Sequence, residues 1–591
     1  MIKLNNQQIN EKIDFIKNYI TSQNAADGST LDANANVSNK NIATMEAEIN
    51  KDIYIQINRT LVSKKIRDIF GEDLAKEYNR QIEEHEIYCH DETSLKPYCA
   101  SINMYPFLLH GLTTLGGESK APQHLESFCG SFINLVFAIS SQFAGAIATV
   151  EFLMYFDYFA RKDYGDSYLE THTKIIENSL QHVVYAINQP AAARGYQSVF
   201  WNLSIYDKYY FESLFGDFVF PDMSKPSITS ISTLQSFFMS WFNKEREKAL
   251  LTFPVVTAAM LIKNDETLDK DFSGMCAKEL SEGNSFFIYQ SENADSLASC
   301  CRLRNEISDN TFSYSLGAGG VSTGSINVIT INFNRMIQLN LDIKSEINKI
   351  HKYQVAYRKL MEEYQINGML PVYNAKFITL DKQFLTIGIN GMAEAAEFNG
   401  ITIGNNQEYK DYVNKHLKVI YEANKVAKKI YGYMFNTEFV PAENLGIKNS
   451  NWDKVDGFNV KRDCYNSYFY LVEDSNINLI DKVILHGKEM IQYLDGGSAL
   501  HLNLEEYASK EAFEKLLNVT AKAGCNYFCF NIKITICNVC EHIDKRTVYQ
   551  CPNCSSDNVD HATRIIGYLK RITSFSSGRQ KEAFRRHYHL N

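Results

Sequence analysis

At 591 residues, with 45% of them apolar, 36 Phe and 35 Tyr, and a charged fraction of 22%, the chain can bury a large core and gives no compositional sign of extensive disorder. Its net charge of -9 supplies no global positive field for a polyphosphate backbone, which speaks against nucleic acid as the main partner. No uninterrupted apolar run reaches the roughly 20 residues of a membrane-spanning helix, and Met1 to Ile20 lacks a signal-peptide core, so the expectation is a cytoplasmic protein with no membrane partner. A reducing compartment keeps most of its thirteen cysteines as thiols, whose placement then reflects packing, metal or chemistry.

In chain order, a short helix around Glu11 to Thr21 precedes residues 24–43, a polar stretch without apolar periodicity that reads as a lead-in loop. From Met45 to Ile87 the spacing is helical and densely charged, and Ala121 to Ile187 is mainly helical. The centre changes character. Short β-rich runs at Ser198–Leu203, Thr252–Val256, Val328–Phe333 and Phe384–Ile389 alternate with long helical segments such as Leu341–Tyr364 and Tyr409–Phe435. That alternation predicts an α/β fold on a parallel or mixed sheet, open or closed into a barrel.

Near the end stands Cys537-Asn-Val-Cys540, then ten residues, then Cys551-Pro-Asn-Cys554. Each pair offers two thiolates from one tight turn, and two such turns complete a tetrahedral site, so a structural Zn2+ is expected rather than disulfides or unpaired thiols. Four thiolates leave no open position for water activation; the metal's job is to fold a segment with little core of its own. A zinc ribbon alone does not name a function, since such modules also occur in binding proteins. Beyond it runs Arg564-Ile-Ile-Gly567-Tyr568-Leu569, in which Gly567, read neutrally, is a turn or bulge position.

The context of Gly567 carries more. Arg564-Ile565-Ile566-Gly567-Tyr568 resembles the Arg-Val-x-Gly-Tyr signature of glycyl radical enzymes, with Ile565 in place of Val. Combined with the four-cysteine module and the following Ser577-Gly-Arg-Gln-Lys-Glu582, it resembles the anaerobic (class III) ribonucleoside-triphosphate reductases. The resemblance implies a ten-stranded α/β barrel of the glycyl radical enzyme and ribonucleotide reductase type, with a helical N-terminal region. The implied organisation is a short lead-in at 1–44, a catalytic barrel with a helical dimerisation region at 45–530, a zinc module at 531–560 and a glycyl radical loop at 561–591. The implied activity is reduction of ribonucleoside triphosphates to 2'-deoxyribonucleoside triphosphates.

On the same resemblance Gly567 stores the radical. Its α-carbon, having no side chain, can become planar and share the unpaired electron with both flanking amides. Cys301, directly before Arg302 in Ser299-Cys300-Cys301-Arg302-Leu303, matches the cysteine at the tip of a loop threaded into the barrel and abstracts the ribose 3'-hydrogen as a thiyl; Cys300 is the alternative. Cys99, in the segment that follows Cys89-His90-Asp91, matches the hydrogen donor toward C2', with Cys89 as the bland alternative. Gln197 and Ser198, Ser325, and Glu443 and Asn444 in Pro441-Ala-Glu-Asn444 fall in segments that resemble substrate-binding elements. Thr252-Phe253-Pro254 and Val328 to Asn332 resemble further barrel strands, and Gly496-Gly497 the start of a later one.

The implied partners are a radical S-adenosylmethionine iron-sulfur activating protein, deoxynucleotide or ATP effectors at a specificity site on the helices after Ala121, and a second copy of the chain in a homodimer. The stretch before Asp32 is too short for the nucleotide-binding ATP-cone with which many family members begin. The reductant stays open between formate and a redoxin. Ser325 stands where the formate-using subgroup has Asn, and Phe384 to Asn390 offers no cysteine of the kind the redoxin-dependent subgroup pairs with its counterpart of Cys99. Two other readings remain at this stage: a glycyl radical lyase using the same Gly567 and Cys301, and a non-enzymatic zinc-ribbon binding protein.

Overall fold

The computed structural model of the chain describes residues 4–22, 40–191, 197–294, 296–298, 304–306, 322–439, 444–564 and 567–589. The first helix, Asn6–Thr21, begins earlier than its periodicity predicts, because Asn5 and Gln8 cap each other's backbone N–H reciprocally. The helical region expected from Met45 to Ile87 resolves into Ile42–Ile49, Lys51–Phe70 and Glu72–Glu83. Gly71, at φ +97, makes the break between the last two. Residues Ile87–Cys89 form a strand instead of the end of a helix.

Ten strands make up the continuous path of a twelve-stranded sheet, with Ile87–Cys89 and Glu266–Thr267 paired off it: β1 (Cys99–Ser101), β2 (Ile147–Ala148), β3 (Trp201–Tyr206), β4 (Val255–Lys263), β5 (Phe287–Ser291), β6 (Thr323–Asn332), β7 (Gln383–Asn390), β8 (Met434–Glu438), β9 (Leu500–Asn503) and β10 (Tyr527–Asn531). Their spatial order is β8-β7-β6-β1-β2-β3-β4-β5-β10-β9. Strands β1 to β5 are mutually parallel, as are β6, β7 and β8, and β9 with β10. The seams β6–β1 and β10–β5 are antiparallel. The free ends of this path meet through a single parallel bridge between Glu438 and Gly497, backed by hydrogen bonds from Phe439 N to Gly497 O (3.0 Å) and from Gly496 N to Thr437 O (2.8 Å). Two five-strand halves of opposite direction therefore form a ring.

Two boundaries differ from the sequence reading for identifiable reasons. The strand expected from Thr252 begins only at Val255, after Pro254, which has no N–H to give a ladder. The helix expected to reach Phe435 ends at Tyr431, where Gly432 turns left-handed at φ +73 and frees Met434–Glu438 to become β8.

The strands are buried along almost their whole length, yet polar residues recur in them at alternate positions: Asn202 and Ser204, His501 and Asn503, Cys529 and Asn531. The period of two puts each set on one face of its strand. The register joins these sets across strands, with Cys99 opposite Ser325, Ser204 beside Thr257, Thr386 beside Asn436, and His501 beside Cys529. The other face meets helices. Trp201 packs on Phe132 and Phe152, from helices Leu125–Ser140 and Phe152–Tyr164, and Gln290 donates to Leu517 O in helix Lys510–Ala523. The ring thus has an apolar, helix-covered outside and a polar inner face.

After β10 the chain builds a second sheet from β11 (Ile534–Cys537), β12 (Ile543–Asp544), β13 (Val559–Arg564) and β14 (Leu569–Arg571), in the order β12-β11-β13-β14. The expected boundary at 560/561 falls inside β13. Zinc module and glycine tail share one sheet.

Candidate active site and metal centre

Gly567 sits in the short turn between β13 and β14 and is buried. Arg564, at the end of β13 and fully buried, donates from Nη1 to the Gly567 carbonyl at 2.8 Å. The other nitrogens of its guanidinium are held by Ser285, just before β5: Nε donates to Ser285 Oγ at 2.9 Å and Nη2 to Ser285 O at 3.0 Å. The backbone of Arg564 is clamped as well. Asn531 on β10 accepts from its N–H and donates to its carbonyl, and Arg586 Nη1 donates to the same carbonyl, all at 3.0 Å.

Tyr568, next to the glycine, stacks edge-on against Phe200 at 5.0 Å between ring centroids and packs on Phe253 at 6.0 Å. Phe200 also packs against a small apolar cluster of Cys99 and Ala146. Phe200, Phe253 and Ser285 precede β3, β4 and β5, while Cys99 opens β1. The glycine turn and Cys99 are therefore brought to the same end of the first half-ring.

Cys99 is fully buried, its carbonyl accepting from Gln383 Nε2 at 3.1 Å. A Cβ on Gly324 would lie 2.2 Å from that carbonyl, so only glycine lets β6 approach this closely. Ser325 Oγ is 2.8 Å from Thr386 Oγ1, which donates to Asn436 Oδ1 at 2.7 Å. Nδ2 of Asn436 and Nδ2 of Asn202 are buried and meet no partner among the described residues. Cys89, by contrast, lies on the short strand antiparallel to β6 and packs against helix Glu72–Glu83, its Sγ 3.7 Å from Tyr78 Oη; burial pushes its thiol well above the usual range.

Of the other expected site residues, Gln197 and Ser198 pair antiparallel with Ala191 and Pro190. Asn444 Oδ1 accepts from Ser576 Oγ at 2.7 Å, tying its loop to the C-terminal tail. Glu443, Cys300 and Cys301 lie outside the described residues. The backbone of Ser296–Ala298, which flanks the two cysteines in sequence, pairs antiparallel with that of Arg304–Glu306.

Sequence reading missed Ser285, Arg246, Thr386, Asn436 and Cys529. The last shares the polar face, and burial pushes its thiol up to about 12. For the strand residues a signal existed in the alternation of polar groups within otherwise apolar runs. For Ser285 and Arg246 there was none.

The Sγ atoms of Cys537, Cys540, Cys551 and Cys554 all lie within 4.8 Å of one another, with Cys537–Cys554 and Cys540–Cys551 at 3.6 Å. A disulfide needs about 2.05 Å, whereas a tetrahedral ion with metal–sulfur bonds of about 2.3 Å has edges near 3.8 Å. The four thiols fit zinc. Asn553 Nδ2 and a backbone N–H already hold the Cys540 thiol down to about 6.

A ring of two opposed five-strand halves, with a glycine turn packed at one end and a four-thiol ribbon beneath it, defines the class: an α/β barrel of the ribonucleotide reductase and glycyl radical type. A family model for anaerobic ribonucleoside-triphosphate reductase matches residues 46–589, and the chain belongs to that family. A solved structure described as an anaerobic ribonucleotide reductase superposes with a TM-score of 0.86 at 26% identity, covering 99% of this chain and 93% of the other. The Thermotoga maritima anaerobic ribonucleotide reductase in complex with dATP and CTP gives 0.82 at 26% identity over 98% of this chain and 100% of that one. The same protein with dATP bound in the specificity site gives 0.81 at 26% identity, again over 98% and 100%. No curated protein matches in sequence. The chain is thus an oxidoreductase for anaerobic, radical-based reduction of ribonucleoside triphosphates to deoxyribonucleoside triphosphates. No helix among its described residues is long and apolar enough to cross a membrane.

Proposed function

We propose that Gly567 stores the radical of this reaction, that Cys301 takes the ribose 3'-hydrogen as a thiyl, and that Cys99 delivers a hydrogen toward C2'. One observation carries this reading: the buried Gly567 turn reaches Cys99 through the Tyr568–Phe200 contact at one end of the ring. In the proposed cycle Cys301 exchanges hydrogen with Gly567, and removal of the 3'-hydrogen lets the 2'-hydroxyl leave as water. Two electrons and two protons complete the product as Cys301 returns a hydrogen to C3'. The ring's contribution is to position sulfur against C3' and keep water and oxygen out. Gln197, Ser198, Ser325, Glu443 and Asn444 are proposed to hold the substrate, which the open donors on Asn202 and Asn436 suit.

Zinc in the four-thiolate site supplies folding energy to the ribbon and, being closed, no water activation. The proposed units are a lead-in at 1–44, the barrel at 45–530, the metal module at 531–560 and the radical loop at 561–591, the last two sharing a sheet. An iron-sulfur activating protein of the radical S-adenosylmethionine type, formate or a redoxin as reductant, a deoxynucleotide effector site, and a homodimer complete the proposal. The dATP and CTP bound in the related Thermotoga maritima structures support the effector and substrate classes.

Anaerobic incubation with the activating protein is expected to give a doublet in the electron paramagnetic resonance spectrum. The same doublet in Gly567→Ala would overturn the assignment.

A further inference from the structure

The guanidinium on the Gly567 carbonyl does not stand alone. Arg246, at the C-terminal end of helix Ile228–Glu245, is 7% exposed and donates from Nη1 to the same Ser285 carbonyl, at 2.6 Å, that accepts from Arg564 at 3.0 Å. Its second acceptor is Asn284 Oδ1 at 3.2 Å, the Phe242 ring covers it at 4.1 Å, and its Nε and Nη2 meet no acceptor among the described residues. Burying a guanidinium with so few acceptors is costly, and a second one nearby adds repulsion. An apolar side chain here would serve packing better.

The placement makes sense at the carbonyl of Gly567. An unpaired electron on a glycine α-carbon is shared with both flanking amides. Donation from the nitrogen side places negative character on the carbonyl oxygen, and a charged donor on that oxygen favours the shared forms over the one with spin confined to carbon. We infer that Ser285 and Arg246 are positioning residues that fix the Arg564 guanidinium on the Gly567 carbonyl and thereby set how far the radical spreads from its α-carbon. Ser285 does so by bonding two of the three guanidinium nitrogens, which leaves Nη1 one direction to point. Arg246 contributes by occupying the same carbonyl and adding a second positive charge to a site shielded from water.

This rests on the reading of Gly567 as the radical site, and the test separates the two. The full-length protein is activated anaerobically and its resonance spectrum compared for wild type, Arg564→Gln, Ser285→Ala and Arg246→Met. In wild type the α-hydrogen splits the signal in proportion to spin on carbon. The expected result is a larger splitting in Arg564→Gln, a smaller increase in Ser285→Ala and in Arg246→Met, and a radical half-life shortened roughly tenfold in Arg564→Gln, as loss of a charged hydrogen bond implies. A loosened loop changes yield but leaves the splitting per spin where it was. If Arg564→Gln gives too little signal, Ser285→Ala and Arg246→Met decide. Splittings identical to wild type in every variant that gives a signal overturn the inference while leaving Gly567 as the radical site; a wild-type protein without the doublet removes the reading beneath it.

Discussion

The ring and the C-terminal sheet are stabilised by different means. The ring shares one continuous apolar core with its covering helices, running from Val62 to Ala583 through nearly every element of the fold. The sheet of β11 to β14 has a core of only Ile534, Ile536, Ile543, Ala562 and Leu569, with Leu250 packed against it. So small a core cannot order its strands unaided, and the four thiols at its far end supply the missing constraint. Yet this weaker unit carries Gly567, which is then fastened to the stronger one by Arg564, Asn531, Ser285 and Tyr568. The residue proposed to carry the radical is thus mounted on the unit with the smaller core.

The sharpest break in that comparison comes at the chemistry. Gly567→Ala should abolish deoxynucleotide formation while lowering the stability of the ring by no more than about 1 kcal/mol. Cys301→Ser should likewise give no product while the Gly567 doublet persists. Retained product formation in Cys301→Ser would show that the thiyl role belongs elsewhere.

Next in size is the metal. Cys537→Ser combined with Cys540→Ser should remove zinc as measured by elemental analysis, and with it a contribution on the order of 10 kcal/mol to the fold of the ribbon. Amide exchange across Ile534 to Arg571 is expected to accelerate at least about a hundredfold while the strands β3 to β7 exchange as before, and radical yield should fall with the ribbon. Equal acceleration in β3 to β7 would mean that ring and ribbon are one cooperative unit.

Phe200→Ala tests the joint itself. It removes the ring that links Tyr568 to Cys99 and, at this half-buried position, should cost about 2 kcal/mol. The expected mark is a shorter-lived Gly567 radical with zinc content unchanged; an unaltered lifetime would show that the Tyr568–Phe200 contact does not secure the glycine turn.

What could be read from the sequence follows the same division. The ribbon was legible because its chemistry is local: two pairs of thiols at fixed spacing can do little else, and the Arg564 to Tyr568 motif lies in one stretch. The ring was legible as alternation of strands and helices, which left it open or closed; closure was implied only by the resemblance, and its one local mark is Gly496, where a Cβ would lie 2.6 Å from Thr437 O. Strand β2, at two residues, is too short for any periodicity to register within a helical stretch. The end of the helix at Gly432 was written in the sequence and outweighed by the apolar pattern continuing to Phe435. Ser285 carries no motif at all; its role arises only when β5 and β13 are brought together.

The smallest effect concerns a buried charge on the ring side of the junction. Lys482 is fully buried on helix Leu479–Leu485, its Nζ lies 4.8 Å above the Tyr470 ring, and it has no acceptor among the described residues. Burial pulls its ammonium down to about 8 from 10.5, against the pull of Asp474. The folded state therefore releases its proton first as pH rises. Between about 8 and 10.5 the unfolded chain still holds the proton that the folded one has lost, so stability from this group grows across that window, is complete above 10.5, and is lost as pH falls through 8. At neutral pH the folded protein carries a desolvated charge. Lys482→Met, similar in length and without that charge, should then stabilise the ring by about 2 kcal/mol at pH 7, with the gain shrinking above pH 8. Thermal melts of both proteins at pH 7 and pH 10 check it: a gain of equal size at the two values would assign the effect to packing, and a loss at pH 7 would mean that the ammonium meets a partner when the protein is folded.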